Sequence, residues 1–235
     1  MRSGVPWVSL AICVGAAGIG ACSHRSGNAA TPPSAAAART ADLAASMDSY
    51  YLGTCAVCGG MLGAKGESPE LSHEGRSLRV CCDACAQAFN RAPAANIERI
   101  DAAMILDQRP HYPLTVSLVS GYPLGPSPKD FIWGNRLLRA SDGAERGLIL
   151  DDPVRYVRLL DLAVIAAQSP TYGMPDKCPV QGDILPTDEP FDIVVANRMI
   201  RVCCGRCARV LQARPYQYLG MVDYANRHPR SHEQP

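Results

Sequence analysis

The chain has 235 residues, enough for one large domain or two to four small ones. Lys+Arg 23 against Asp+Glu 22 gives a formal charge of +1, which excludes the basic stripe a nucleic-acid binder needs. Aromatics are only 6%, too few for one large core, whereas 11 cysteines call for metal ligands, redox thiols or a few disulfides, and together these favour several small units, each locally stapled.

Residues 1–21 read as a targeting segment. Arg2 precedes an apolar, Gly/Ala-rich run over residues 7–21 that is too short and too Gly-rich for a spanning helix. The run ends Ile19, Gly20, Ala21, Cys22, which resembles the bacterial lipobox. That resemblance implies cleavage before Cys22 and lipidation of its thiol, and Ser23 in the next position implies the outer membrane, with the protein facing the periplasm. Residues 22–46 are Ala, Ser, Thr, Pro and Gly with almost no bulky apolar groups, so they are expected to form a disordered, flexible tether with a reach of roughly 25–30 Å. Cys13 and Cys22 then leave the inventory, and nine thiols remain in the exported part.

Internal self-similarity organises that part. Arg79, Val80, Cys81, Cys82 and Cys85 recur as Arg201, Val202, Cys203, Cys204 and Cys207; each set is followed by Ala, by an apolar residue (Phe89, Leu211) and by Pro (Pro93, Pro215). Upstream, Cys55, Val57, Gly59 and Leu62 correspond to Cys178, Val180, Gly182 and Leu185. A shift of 60 residues also places Arg76 on Arg136, Arg79 on Arg139, Pro93 on Pro153, Ile97 on Val157 and Asp101 on Asp161. This defines a third, cysteine-free copy with Ser117, Ser120, Ser141, Asp142 and Glu145 in the cysteine positions.

Each copy reads as a turn carrying the first Cys and a Gly, a short alternating stretch, a strand such as Ser77 to Val80, a short helix at the paired cysteines, and a longer helix restarted by Pro. Ile97, Ile100 and Met104, and likewise Val157, Leu160 and Val164, share helix faces. The expected fold class is α+β: three tandem small ββα modules of zinc-ribbon or treble-clef kind, at 47–108, 109–168 and 169–226, followed by a polar tail at 227–235.

In the first copy Cys55 and Cys58 form a C-x-x-C pair in a Gly turn, while Cys81 and Cys85 project from one helical turn at i and i+4. Two thiols from a turn and two from a helix start suit a closed tetrahedral Zn²⁺ site, and thiolates equally suit Cu(I) and other soft ions. Such a metal would supply folding energy to so small a unit. Disulfides are the alternative in an exported protein, with redox-active thiols a third reading. A bridge between adjacent Cys81 and Cys82 is disfavoured, because neighbouring Cα atoms stand about 3.8 Å apart, below the disulfide range. Arg79 and Arg201 flank the pairs and are expected to lower thiol pKa.

The pattern Cys178, Pro179, Val180, then Val202, Cys203, Cys204, Gly205 and Cys207 with a later Pro resembles the TRASH and YHS group of small heavy-metal-binding domains. The resemblance covers the first and third copies and treats the second as a cysteine-free relic. It implies metal binding in sensing, transport or storage, with ligands carried over to Cys58, Cys81 and Cys85 and to Cys203 and Cys207. Gln181 stands where the first copy has Cys58, so Cys178 is expected to act in the third copy and Cys55 in the first; Cys82 and Cys204 are either a fourth ligand or spectators. Val80 and Val202 replace the Phe usual before the Cys pair.

Among other residues, His73 is expected in a solvated loop rather than in a Cys3His site, and His228 and His232 lie in the polar tail. Asp151 with Asp152, and Asp188 with Glu189, precede Pro and read as turn or cap residues. With no phosphate loop and no nucleophile beside a placed base, enzyme action has little support. The expected function is therefore a lipid-anchored protein of the cell envelope with Cys-ligated Zn²⁺ or a soft ion in modules 1 and 3 and module 2 packing or recruiting a protein partner. A thiol–disulfide exchange protein using Cys55/Cys58 or Cys82/Cys85, or a structural scaffold, is the alternative.

Overall fold

A computed structural model describes residues 47–64, 66–172, 177–186 and 191–227. The targeting run, Cys13, Cys22, the Ala/Pro-rich stretch, Asp188, Glu189, His228 and His232 lie outside these residues.

The chain is mixed α+β, with three small two-stranded antiparallel sheets and helices after each. The elements run β1 Glu70–His73, β2 Arg76–Arg79, α1 Asp83–Arg91, α2 Pro93–Gln108, β3 Lys129–Trp133, β4 Arg136–Ala140, α3 Gly143–Asp151, α4 Pro153–Gln168, β5 Phe191–Val195, β6 Arg198–Val202, α5 Gly205–Ala213 and α6 Leu219–Arg227. Short 3-10 turns follow α2 and α4 at Arg109–His111 and Ser169–Thr171, and a third, Pro215–Gln217, precedes α6.

Each hairpin closes through a two-residue turn that needs left-handed backbone: Glu74 and Gly75 (φ 50° and 79°) in the first and Ala196 and Asn197 (φ 50° and 60°) in the third. The pairing puts an acid opposite an arginine near the far end of all three hairpins, Glu70 with Arg79, Asp130 with Arg139 and Asp192 with Arg201. All three pairs form ion contacts, and such cross-strand pairs contribute about 0.2–1 kcal/mol each. The strand expected at Ser77 to Val80 runs one residue earlier, with the Val80 N–H still bonded to the Pro69 carbonyl.

Pro93 and Pro153 occupy the first turns of α2 and α4, where a missing N–H costs nothing. Ile100 and Met104 on α2, and Val157, Leu160 and Val164 on α4, are buried, and Ile97 packs beside them. Pro215 behaves differently: it opens a 3-10 turn, and helix resumes only at Leu219. The run Tyr216, Gln217, Tyr218, Leu219, Gly220 holds two aromatics and a glycine, which favour helix weakly.

The hairpin tips meet at a buried polar centre. The first arginine of each second strand pairs with an aspartate 25 residues on: Arg76 with Asp101, Arg136 with Asp161, Arg198 with Asp223. Asn135 accepts from Arg76 Nε at 2.7 Å, and Asn197 accepts from Arg136, so each tip contacts the preceding arginine. Gln108, fully buried, donates to the Asn135 carbonyl and accepts from the Leu137 N–H, and Gln168 does the same with Asn197 and Met199. The third segment returns to the first, where Arg198 makes two hydrogen bonds of 3.0 Å to Asp107. Asp48 threads the centre, binding Arg136 at 2.8 and 3.0 Å and accepting the Ala196 N–H. Two apolar clusters surround this network: one joins the first and third hairpins with their helices, and the other covers the middle hairpin and reaches Val194 and Met199.

Candidate metal centres

Three equivalent turns precede the hairpins. In each, the backbone carbonyl of the residue in the first Cys position accepts the N–H of a glycine four residues on, Cys55 from Gly59, Ser117 from Gly121 and Cys178 from Gly182. These glycines sit at φ 72°, 73° and 77°, a region closed to most side chains. The turns are clamped by the bridges Thr54 with Met61, Val116 with Pro123 and Lys177 with Ile184. They aim backbone N–H groups at the first side chain: Val57 N–H approaches Cys55 Sγ at 3.4 Å, and Val119 N–H approaches Ser117 Oγ at 3.0 Å.

The end of β2 and the start of α1 bring Cys81 and Cys85 over this turn. The ligand atoms of Cys55, Cys58, Cys81 and Cys85 all lie within 4.8 Å of one another. The Cys58–Cys81 and Cys81–Cys85 sulfurs are 3.5 and 3.7 Å apart. Sulfurs at the corners of a tetrahedron about 2.3 Å from Zn²⁺ stand about 3.8 Å apart, whereas bonded sulfurs stand about 2.05 Å apart. The thiols therefore have the spacing of a shared ion, and none of the nine described cysteines forms a disulfide. Cys55 and Cys81 are buried, and Cys58 faces solvent.

In the third segment Cys178, Cys203 and Cys207 converge in the same way, with Cys203 and Cys207 at 3.5 Å. The fourth corner belongs to Gln181, whose Oε1 stands 3.4 Å from Cys207 Sγ and 3.9 Å from Cys203 Sγ. Both groups could hold a metal ion. Cys82 and Cys204 stay outside them: each is the N-cap of its helix, with its sulfur 3.8 Å from the neighbouring Cys81 or Cys203 sulfur.

The electrostatics split the thiols. Burial opposes ionisation of Cys55, but backbone N–H groups of Cys58, Val57 and Cys81 outweigh it and bring its pKa down to about 7. Cys178 is lowered likewise, against burial, by the N–H groups of Cys203, Gln181 and Val180. The Cys58 thiol, followed by burial, pushes Cys81 up to about 11, and burial followed by Cys81 pushes Cys85 up. Burial and then Cys203 raise Cys207 in the same way. Crowded thiols cannot all ionise together unless a cation joins them. The arginines expected to lower thiol pKa are engaged elsewhere: Arg79 binds Glu70 and stacks on Tyr216, and Arg201 binds Asp192 and stacks on Tyr172.

The middle segment solves the same packing problem without cysteine. Glu145, in the Cys85 position, accepts from Ser117 Oγ at 2.8 Å and from the Ser141 N–H at 2.9 Å. A hydrogen bond from Ser120, then those from Ser141 and Ser117, outweigh burial and hold its pKa at about 2. Asp142, in the Cys82 position, caps α3 by accepting the Glu145 N–H at 2.9 Å. A carboxylate here draws together the donors that a cation would draw together as thiolates.

His73 lies on β1, its ring edge against Phe89 at 5.5 Å, and takes no part in the thiol group. It is a strand residue rather than the loop residue expected, because the turn consists of Glu74 and Gly75 alone. Asp152 is the N-cap of α4, as its place before Pro153 suggested. No helix among the described residues is long and apolar enough to cross a membrane. Compared with known proteins, the chain matches no protein-family model, no curated protein and no solved structure.

Proposed function

We propose that the protein is a metal-binding protein of the cell envelope, built from three related ββα modules of zinc-ribbon or treble-clef kind, with Zn²⁺ or another thiophilic ion at the first and third. The observation that carries this is the sulfur spacing: two groups of thiols at 3.5–3.7 Å, each assembled from a tight turn and a helix start, with no disulfide among the described cysteines. The spacing of Cys178, Cys203 and Cys207 that resembles the TRASH and YHS domains supports the same reading, as does the middle segment, where Glu145 and two serines fill the equivalent place. Lipidation at Cys22 and an outer-membrane site facing the periplasm belong to the proposal on the strength of residues 19–22.

Metal analysis of the anaerobically purified full chain tests it. One ion per thiol group is expected, with no disulfide among the seven thiols of the two groups; no bound metal together with paired oxidation of these thiols would sink it. A second reading, thiol–disulfide exchange, is favoured by one observation, the lowered pKa of Cys55 beside exposed Cys58. Exchange of the metal-free chain with a model disulfide, lost in Cys58→Ser, would support that reading instead.

A further inference from the structure

The two thiol groups are not equivalent. In the first, the fourth corner is the exposed thiol of Cys58, 3.5 Å from Cys81 Sγ. In the third, the same turn position carries Gln181, an exposed residue whose carboxamide oxygen lies against the Cys203 and Cys207 sulfurs. Four thiolates saturate Zn²⁺ and close its shell, as structural sites do, whereas three protein ligands leave a position for an exchanging group. A carboxamide oxygen is neutral and hard, and thiolates, not amide oxygens, hold soft ions.

We infer that the first group retains a resident Zn²⁺ while Cys178, Cys203 and Cys207 form an exchangeable site for a soft d¹⁰ ion, Cu(I), with Gln181 as a displaceable lid. This rests on the proposed metal-binding function and divides it between two sites. Cys178 and Cys207 are buried and Cys203 is partly exposed, whereas Gln181, the residue at the fourth corner, is exposed to solvent. Loading releases one proton for each thiol that binds. Unloading proceeds by substitution without electron transfer: a first thiolate of a multi-thiol acceptor takes the position beside Gln181, and the bonds to Cys203, Cys207 and Cys178 are given up in turn as further acceptor thiolates bind the ion. The first group offers no such position until one of its own four sulfur bonds has broken.

The test uses the full chain, purified anaerobically and loaded with Zn²⁺, challenged first with a chromophoric chelator and then with buffered Cu(I). Two release phases are expected, differing by more than the about 10–100-fold that groups behind a ligand contribute. Cu(I) is expected to displace only the faster Zn²⁺. Gln181→Cys should convert the fast phase to slow, and Cys58→Gln should convert the slow phase to fast, so that either variant alone decides if the other folds poorly. Two ions released at one rate, unchanged in both variants, would overturn the division while leaving metal binding intact. A chain that takes up no Zn²⁺ at all would overturn the proposed function itself.

Discussion

Arg136 shows how much of this molecule depends on single side chains. It is almost fully buried, yet it binds Asp48 and Asp161 and the Val194 carbonyl; burial works against its charge, and the two aspartates more than offset that and push its pKa up. Removing one partner of a buried ion pair leaves the others uncompensated. Arg136→Met should therefore cost about 3–5 kcal/mol, measured by denaturant unfolding of the metal-loaded chain. Glu145 makes a second, pH-dependent prediction. Its folded pKa, about 2, lies below the ordinary 4.5, so its stabilisation is complete above about 4.5 and is lost as pH falls through about 2. Because the carboxylate is partly exposed, the effect is on the order of 1 kcal/mol. Unfolding curves between pH 2 and 6 should show this acid limb in the wild type and lack it in Glu145→Gln; a limb unchanged by the substitution would refute the role. At this scale the sequence was half legible. A shift of 60 residues laid Arg76 on Arg136 and Asp101 on Asp161. Alignment shows that residues correspond, not that Arg76 and Asp101 touch, and Asp48, Gln108 and Asn135 have no local pattern to announce them.

Among the elements, the helix starts carry the argument. Asp142 caps α3 through the Glu145 N–H, and the same position holds Cys82 on α1 and Cys204 on α5. Unlike the Asp142 carboxylate, neither thiol makes a side-chain cap hydrogen bond, so the position sets a cysteine beside each metal group without making it a member. Cys82→Ser and Cys204→Ser should leave the metal content of the chain unchanged, whereas Cys81→Ser and Cys203→Ser should each remove one ion; metal analysis of the four variants separates ligands from their neighbours. Asp142→Ala should lower stability by about 1 kcal/mol through loss of the cap. Turn, strand, short helix and Pro-led helix were readable from spacing in the first two copies, since Pro93 and Pro153 start regular helices. In the third, Pro215 failed as a helix signal because Tyr216, Tyr218 and Gly220 follow it. The expectation that Arg79 and Arg201 serve the thiols failed for a related reason: a strand register, unlike a linear spacing, sets which acid faces an arginine, and Glu70 and Asp192 do.

At the scale of the whole molecule, the three hairpins depend on one another. One apolar cluster includes Leu78, Val80 and Phe89 of the first segment together with Ile193, Ile200 and Leu211 of the third. The first segment is thus expected to fold poorly alone, in keeping with a length near the lower limit for independent folding, and its missing stability comes from the third segment as well as from any metal. A fragment of residues 47–112, supplied with Zn²⁺, should show no cooperative thermal transition by circular dichroism. Asp107→Ala in the full chain should cost about 1–3 kcal/mol, because Arg198 loses two of its charged hydrogen bonds. Retention of full stability in that variant would mean that the contact between first and third segments is incidental.

The path of Met47 to Tyr51 bears on how the protein would carry a mechanical load. Asp48 accepts from Arg136 on the middle hairpin and from Ala196 on the third, and its carbonyl accepts from Asn135. Tension applied at Met47 would thus be divided at once between two hairpins, and Arg136 would pass part of it through Asp161 into α4. The chain would resist such a pull as a clamped bundle, its ion pairs failing together rather than its strands unzipping one after another.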